Sequence, residues 1–151
     1  MSEQPPVVAL ANVTRDGVVE STHYGRIAVC EPDGRLLASA GDPDAVQYWR
    51  SSSKPIQALS VLTSGAADSF ALTVRELAVC CASHSGSAMH TTTVLGILDK
   101  LGLSESDLQC GVHWPGDSEE RDRLIREGEQ PGPRHNNCSG KHAGMLATCL
   151  A

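Results

Sequence analysis

The chain has 151 residues, the length of one ordinary domain and enough to bury a sizeable core. With 40% hydrophobic and 20% charged residues its composition is globular, which excludes a low-complexity disordered chain. A net charge of −6 and only two Trp, two Tyr and one Phe leave neither a basic face for phosphates nor a stacking platform for bases, so nucleic acid is excluded as a partner.

In chain order, Met1-Ser2-Glu3-Gln4-Pro5-Pro6 lacks the basic segment and apolar stretch of an export signal. Residues 7–14 are rich in β-branched side chains and residues 26–31 alternate, so both read as strands. Glu31-Pro32-Asp33-Gly34 is a turn in which Pro presets φ and Gly supplies φ > 0, and 35–40 returns to complete a hairpin. After Gly41-Asp42-Pro43-Asp44 the pattern becomes helical. A first helix is predicted over 52–64 with Ile56, Leu59 and Leu62 on one face. Thr73-Val74-Arg75-Glu76 is a capping box opening a second helix that runs through 80–82. A third spans 87–101 and ends at Gly102, and a charged one over 118–127 is closed by Gly128. Residues 130–133 form a loop, and a final helix starts at 137–139 and is still running at Ala151. The longest strongly apolar run, 77–82, is far too short to span a bilayer, so no membrane partner is expected. Six cysteines, two adjacent and the rest without framework spacing, read as reduced thiols in a cytoplasmic protein; the alternative for any one of them is metal binding or catalysis.

Three segments carry chemistry. Arg50-Ser51-Ser52-Ser53-Lys54-Pro55 holds a Ser-x-x-Lys pair, and on a helix that spacing puts Ser51 and Lys54 on one face. A serine hydroxyl needs a neighbouring base to become a nucleophile, and a desolvated lysine can be that base. The alternative is a serine-rich helix start with Pro55 tolerated in the first turn. Cys81-Ala82-Ser83-His84-Ser85-Gly86 surrounds a serine with small residues that admit a ligand, or is an ordinary helix-to-loop junction. His135-Asn136-Asn137-Cys138-Ser139-Gly140-Lys141-His142-Ala143-Gly144-Met145 is the densest polar cluster. There Cys138 shares a face with Lys141 and with His142, and thiolate and imidazole suggest half of a metal site. The alternative is a helix N-terminus dressed with capping Asn and Ser.

Taken in order, Arg-Ser-Ser-Ser-Lys-Pro-Ile-Gln, Cys-Ala-Ser-His-Ser-Gly and His-Asn-Asn-Cys-Ser-Gly-Lys-His-Ala-Gly-Met-Leu resemble the signature blocks of the asparaginase II domain family. Gly-Val-Val-Glu-Ser-Thr-His-Tyr-Gly and Asp-Gly-Arg-Leu-Leu resemble its opening, so the likeness covers about 7–151. The resemblance implies an α+β fold, part of a serine-β-lactamase-like architecture with an N-terminal antiparallel hairpin and a helical cluster. It also implies a zinc-containing asparaginase that hydrolyses L-asparagine to L-aspartate and ammonia by serine–lysine chemistry. Ser51 matches the nucleophile, Lys54 its base and Ser83 a second active-site serine. Cys138 and Lys141 match two protein ligands of the zinc, with lysine in the place that spacing gave to His142. Arg50 and His142 fall beside these positions as substrate-orienting groups.

Members of that family are longer. Their third zinc ligand, in an Asp-Gly-Cys motif, and their second active-site lysine have no counterpart here, since Lys100 sits on a charged helix face. Residues 1–151 are therefore expected to be a single domain, the N-terminal part of an asparaginase II domain lacking its C-terminal half, with weak or no turnover alone. An exposed sheet edge and an unburied final helix are expected to follow, and a homodimer or the missing half is the expected partner. The alternatives are a non-catalytic remnant that binds zinc, and a Ser-x-x-Lys acyl hydrolase acting on glutamine or another amide.

Overall fold

The computed structural model describes residues 6–151; residues 1–5, which bear on the reading of the export signal, lie outside the described residues. The chain folds as two compact units, 1–48 and 49–151. Together they make a mixed α+β chain with two small antiparallel sheets and six α-helices among the described residues.

In the first unit, β1 (Val8–Arg15) pairs antiparallel with β2 (Val18–Gly25), and β3 (Ile27–Cys30) with β4 (Leu36–Ala40). The sequence marks 7–14, 26–31 and 35–40 as β-structure but does not single out β2. Its signal is the dipeptide Asp16-Gly17, whose φ values of 50° and 80° give the left-handed two-residue turn that matches strand twist. The 31–34 turn forms as expected: Gly34 N–H donates to the Glu31 carbonyl at 2.9 Å, and Arg35 N–H donates to the Asp33 carboxylate at 2.9 Å.

The second unit is helical, with α1 (Lys54–Thr63), α2 (Ala66–Ser69), α3 (Val74–Cys81), α4 (Ala88–Lys100), α5 (Ser118–Glu127) and α6 (Ser139–Leu150). Short 3-10 turns occupy Arg50–Ser53, Glu105–Asp107 and Pro133–His135. The capping box of α3 is present, with the Thr73 hydroxyl accepting from Glu76 N–H and the Glu76 carboxylate accepting from Thr73 N–H. α5 has the bounds read from sequence, opened by the Asp117 side chain and closed by left-handed Gly128.

Ile56, Leu59 and Leu62 share one face of α1, and that face is outward: each is 52% exposed, and α1 buries Lys54 and Val61, with Ala58 partly buried beside them. The face turned inward is set by what α1 packs on, namely α3 and α6, and those helices meet its Lys54–Ala58–Val61 side. The expectation of an unburied final helix is corrected. α6 packs on α1, α3 and α4 and buries Ser139, Gly140, Ala143, Gly144 and Ala147. Small side chains allow this: a Cβ on Gly140 would collide with the Val79 carbonyl, and one on Gly144 would lie 2.9 Å from Cys80 Sγ. Val79, Cys80, Val94, Ile97, Leu98, Leu108 and Ala143 form the main core, and Val61, Ala66 and Ala147 a second cluster.

Lys100 is exposed on its helix face but paired. Its ammonium lies 2.7 Å from the buried Glu76 carboxylate and donates to the Ala71 carbonyl at 2.8 Å. All six cysteines are free thiols. No helix among the described residues is long and apolar enough to cross a membrane.

Candidate active site

Lys54 is the first residue of α1, and packing against α3 and α6 leaves its side chain only 3% exposed. An ammonium taken out of water needs acceptors. Lys54 Nζ donates to Ser83 Oγ at 2.8 Å, to the Ala82 carbonyl at 2.9 Å and to the Asn137 carbonyl at 3.4 Å. It forms no ion pair with a carboxylate among the described residues. α3 ends at Cys81, and the chain leaves it in extended geometry at Ala82, so the next residue, Ser83, meets the lysine with its hydroxyl on the exposed side. A buried amine touching an exposed hydroxyl is the element from which a serine nucleophile is built.

The 82–86 loop is pinned on both sides of Ser83. His84, 5% exposed, donates its main-chain N–H to the Asn137 carbonyl at 3.2 Å. Its ring completes a directed chain: Gly86 N–H donates to Nδ1 at 3.2 Å, so Nε2 carries the proton and donates to Ser139 Oγ at 2.9 Å. Ser139 Oγ in turn donates to the Arg134 carbonyl at 2.9 Å. Burial, then the neighbouring His90 and Lys54 charges, pull the His84 pKa down to about 4, in keeping with a neutral ring. The ring stacks on His90 with centroids 5.0 Å apart. Gly86, at φ +76°, could take no side chain, because a Cβ would lie 2.7 Å from the His135 carbonyl.

On the far side, Asn137 donates its N–H to His113 Nε2 at 3.1 Å, and His113 Nδ1–H donates to the Trp114 carbonyl at 2.8 Å. The Asn136 amide donates to the Cys110 carbonyl at 2.8 Å and accepts from Cys138 N–H at 2.8 Å, which fixes the entry to α6.

The residues singled out in the sequence fall as follows. Lys54 and Ser83 are in direct contact. Ser51 sits on the exposed Arg50–Ser53 turn, one turn before Lys54, and Lys54 Nζ is shared among Ser83, Ala82 and Asn137 rather than given to it. Arg50 is exposed and holds φ +53°, a left-handed conformation costly for a residue with a Cβ. Cys138 is the N-cap of α6, and Lys141 borders a small cleft with Gln57, Ser60 and Met145. His142 is half-buried, and burial followed by the Lys141 and Lys54 charges lowers its pKa. Among the described residues no three His, Cys, Asp or Glu side chains are grouped to hold a metal ion. Sequence reasoning did not find His113, which acts from a loop that no spacing signals. Asn137 and Ser139 lie in the polar cluster singled out above, where the sequence marks them only as capping residues. Asn137 acts through its main chain, and Ser139 through a hydroxyl whose partners, His84 and Arg134, only the fold brings to it.

No curated protein matches the chain. The family model described as L-asparaginase II matches residues 11–151, nearly the full length, and the chain belongs to that family.

Proposed function

From membership of the L-asparaginase II family, which makes the chain an asparaginase-type amidohydrolase at family level, we propose that Lys54 and Ser83 form the reacting core of a serine–lysine site for L-asparagine. The single observation that carries the reading is the 2.8 Å contact between the buried Lys54 amine and the exposed Ser83 hydroxyl. Lys54 Nζ also donates to the Ala82 and Asn137 carbonyls; to act as base it gives up the proton aimed at Ser83 Oγ, and its lone pair then faces that hydroxyl. Ser83 Oγ attacks the side-chain amide carbon as its proton passes to Lys54 Nζ. The C–N bond then breaks with that proton delivered to the leaving nitrogen, giving ammonia and an aspartyl ester. Water cleaves the ester, releases L-aspartate and restores the hydroxyl. The family likeness assigns attack to Ser51; here Ser51 serves as the second hydroxyl at the site mouth, with Arg50 and His142 orienting substrate.

Zinc belongs to the same proposal. Cys138 and Lys141 are the donors that would hold it, since a thiolate and a neutral amine on one helix turn suit a borderline-soft cation. When bound, the ion supplies positive charge beside the substrate. A cytoplasmic location and a dimer remain part of the proposed reading.

The test is ammonia release from L-asparagine by the full chain at high protein concentration, with L-glutamine in parallel. Release is expected to be slow, to fall about 100-fold or more in Lys54→Met and Ser83→Ala, and to leave a trapped ester on Ser83. An ester on Ser51 would return the attack to that residue. Equal release from glutamine would change the substrate. Zinc bound without ammonia from either amide would make the chain a binding module.

A further inference from the structure

Two halves of the candidate site lie far apart in sequence: Ser83 follows α3, whereas Asn137, Cys138 and Lys141 flank the start of α6. Among the described residues, His84 joins them with two directed hydrogen bonds and braces its own loop with a third. Its main-chain N–H reaches the Asn137 carbonyl, the same carbonyl that accepts from Lys54. Its ring reaches Ser139, the residue after Cys138, and its Nδ1 holds Gly86. Ser83 is thus fixed from one side by Ala82, whose carbonyl is bound to Lys54, and from the other by a side chain anchored in α6.

We infer that His84 is a positioning residue: by donating from Nε2 to Ser139 it holds Ser83 Oγ within reach of Lys54 and locks that pair to the start of α6. The inference deepens the proposed serine–lysine reading and rests on it. The chemistry requires a neutral ring with Nε2 protonated, because Nδ1 already accepts from Gly86. It also requires Ser139 as acceptor, because the Ser139 proton is committed to the Arg134 carbonyl. Contact distance matters because an error of about 1 Å in the placement of a reacting group costs on the order of 100-fold in rate. The ring's own hydrogen bonds go to Ser139 and Gly86, not to the Ser83 hydroxyl. It differs from a simple filler in that its effect depends on one N–H bond.

The experiment measures the rate at which a fluorophosphonate labels Ser83 in the full chain, located by mass spectrometry, for wild type, His84→Ala, His84→Gln and Ser139→Ala. Protection of Cys80 from alkylation reports an intact core. The saturating labelling rate is expected to fall on the order of tenfold in His84→Ala and Ser139→Ala, with half-saturation unchanged. His84→Gln, which restores an N–H toward Ser139, recovers most of that loss. Labelling of His84→Ala at the wild-type rate, or of His84→Gln as slowly as His84→Ala with Cys80 protected, overturns the inference. If His84→Ala does not fold, Ser139→Ala decides in the same way. If wild-type Ser83 is not labelled at all, the serine–lysine reading has failed. A crystal structure of the Ser139→Ala chain then judges the positioning alone: a Ser83–Lys54 contact kept at 2.8 Å overturns it, and a lost contact supports it.

Discussion

At the scale of single residues, burial separates reactive from inert groups of the same type. Cys80 is 1% exposed, and burial, reinforced by the neighbouring Cys81 and Glu76 charges, pushes its thiol up to about 12. Cys30 and Cys149 are exposed. Since the thiolate is the reacting form, a thiol reagent at neutral pH is expected to modify Cys30 and Cys149 first and to leave Cys80 untouched until the helices unfold. Peptide mapping at partial modification checks this, and early labelling of Cys80 contradicts the packing of α6 on α3. Lys54 shows how far residue-level reading goes. Its importance was legible, because Ser-x-x-Lys marks it, but its contact with Ser83 was not. Ser83 lies 29 residues away, and only the packing of α1 against α3 brings the two together.

At the scale of elements, the same limit recurs. Capping residues made α3 and the end of α5 legible almost to the residue, since Thr73, Glu76 and Gly128 satisfy main-chain groups locally, whereas the Asp117 cap that opens α5 emerged only in the structure. The inward face of α1 was illegible because its larger apolar stripe is not the buried one. Leu59→Gln is therefore expected to change stability by no more than about 0.5 kcal/mol, whereas Val61→Ala, two positions on, costs about 2 kcal/mol. Urea unfolding of the two variants compares them directly, and a reversed order would mean that the exposed face is covered in solution. The glycines of α6 supply a second comparison. Gly140→Ala must push α6 away from the Val79 carbonyl and is expected to cost about 1–3 kcal/mol, although alanine is the better helix former. An unchanged urea midpoint would show that α6 sits farther from α3.

At the scale of the whole molecule, stability is tied to pH through groups that fold in one protonation state. His84 falls from its ordinary 6.5 to about 4 on folding, so between those values the unfolded chain binds the extra proton. Its contribution is complete above about pH 6.5 and is lost as pH falls toward 4. Burial raises the Glu76 carboxyl, but its bonds to Lys100 and Thr73 outweigh that and hold it below the carboxylate range. Arg123 does the same for Glu120 against its burial, with His135 adding to it. Those two contributions persist above the unfolded carboxylate pKa and vanish as pH falls through the lower folded values. The melting temperature is thus expected to decline from pH 7 to 4 through His84, then further below 4.5 through the two carboxylates. His84→Gln should melt lower at pH 7 but change less between pH 7 and 5. A wild-type melting temperature that stays flat from pH 7 to 5 would contradict a buried, neutral His84.

The outward stripe of Ile56, Leu59 and Leu62 also governs how the protein behaves in the hand. Three large aliphatic side chains on successive turns, each about half open to water, form one sticky ridge on an otherwise acidic chain. Kosmotropic salts strengthen apolar burial by withdrawing water from such ridges. The protein should therefore bind a phenyl resin and leave solution at modest ammonium sulfate, and a chain carrying Gln at all three positions should elute early and stay dissolved.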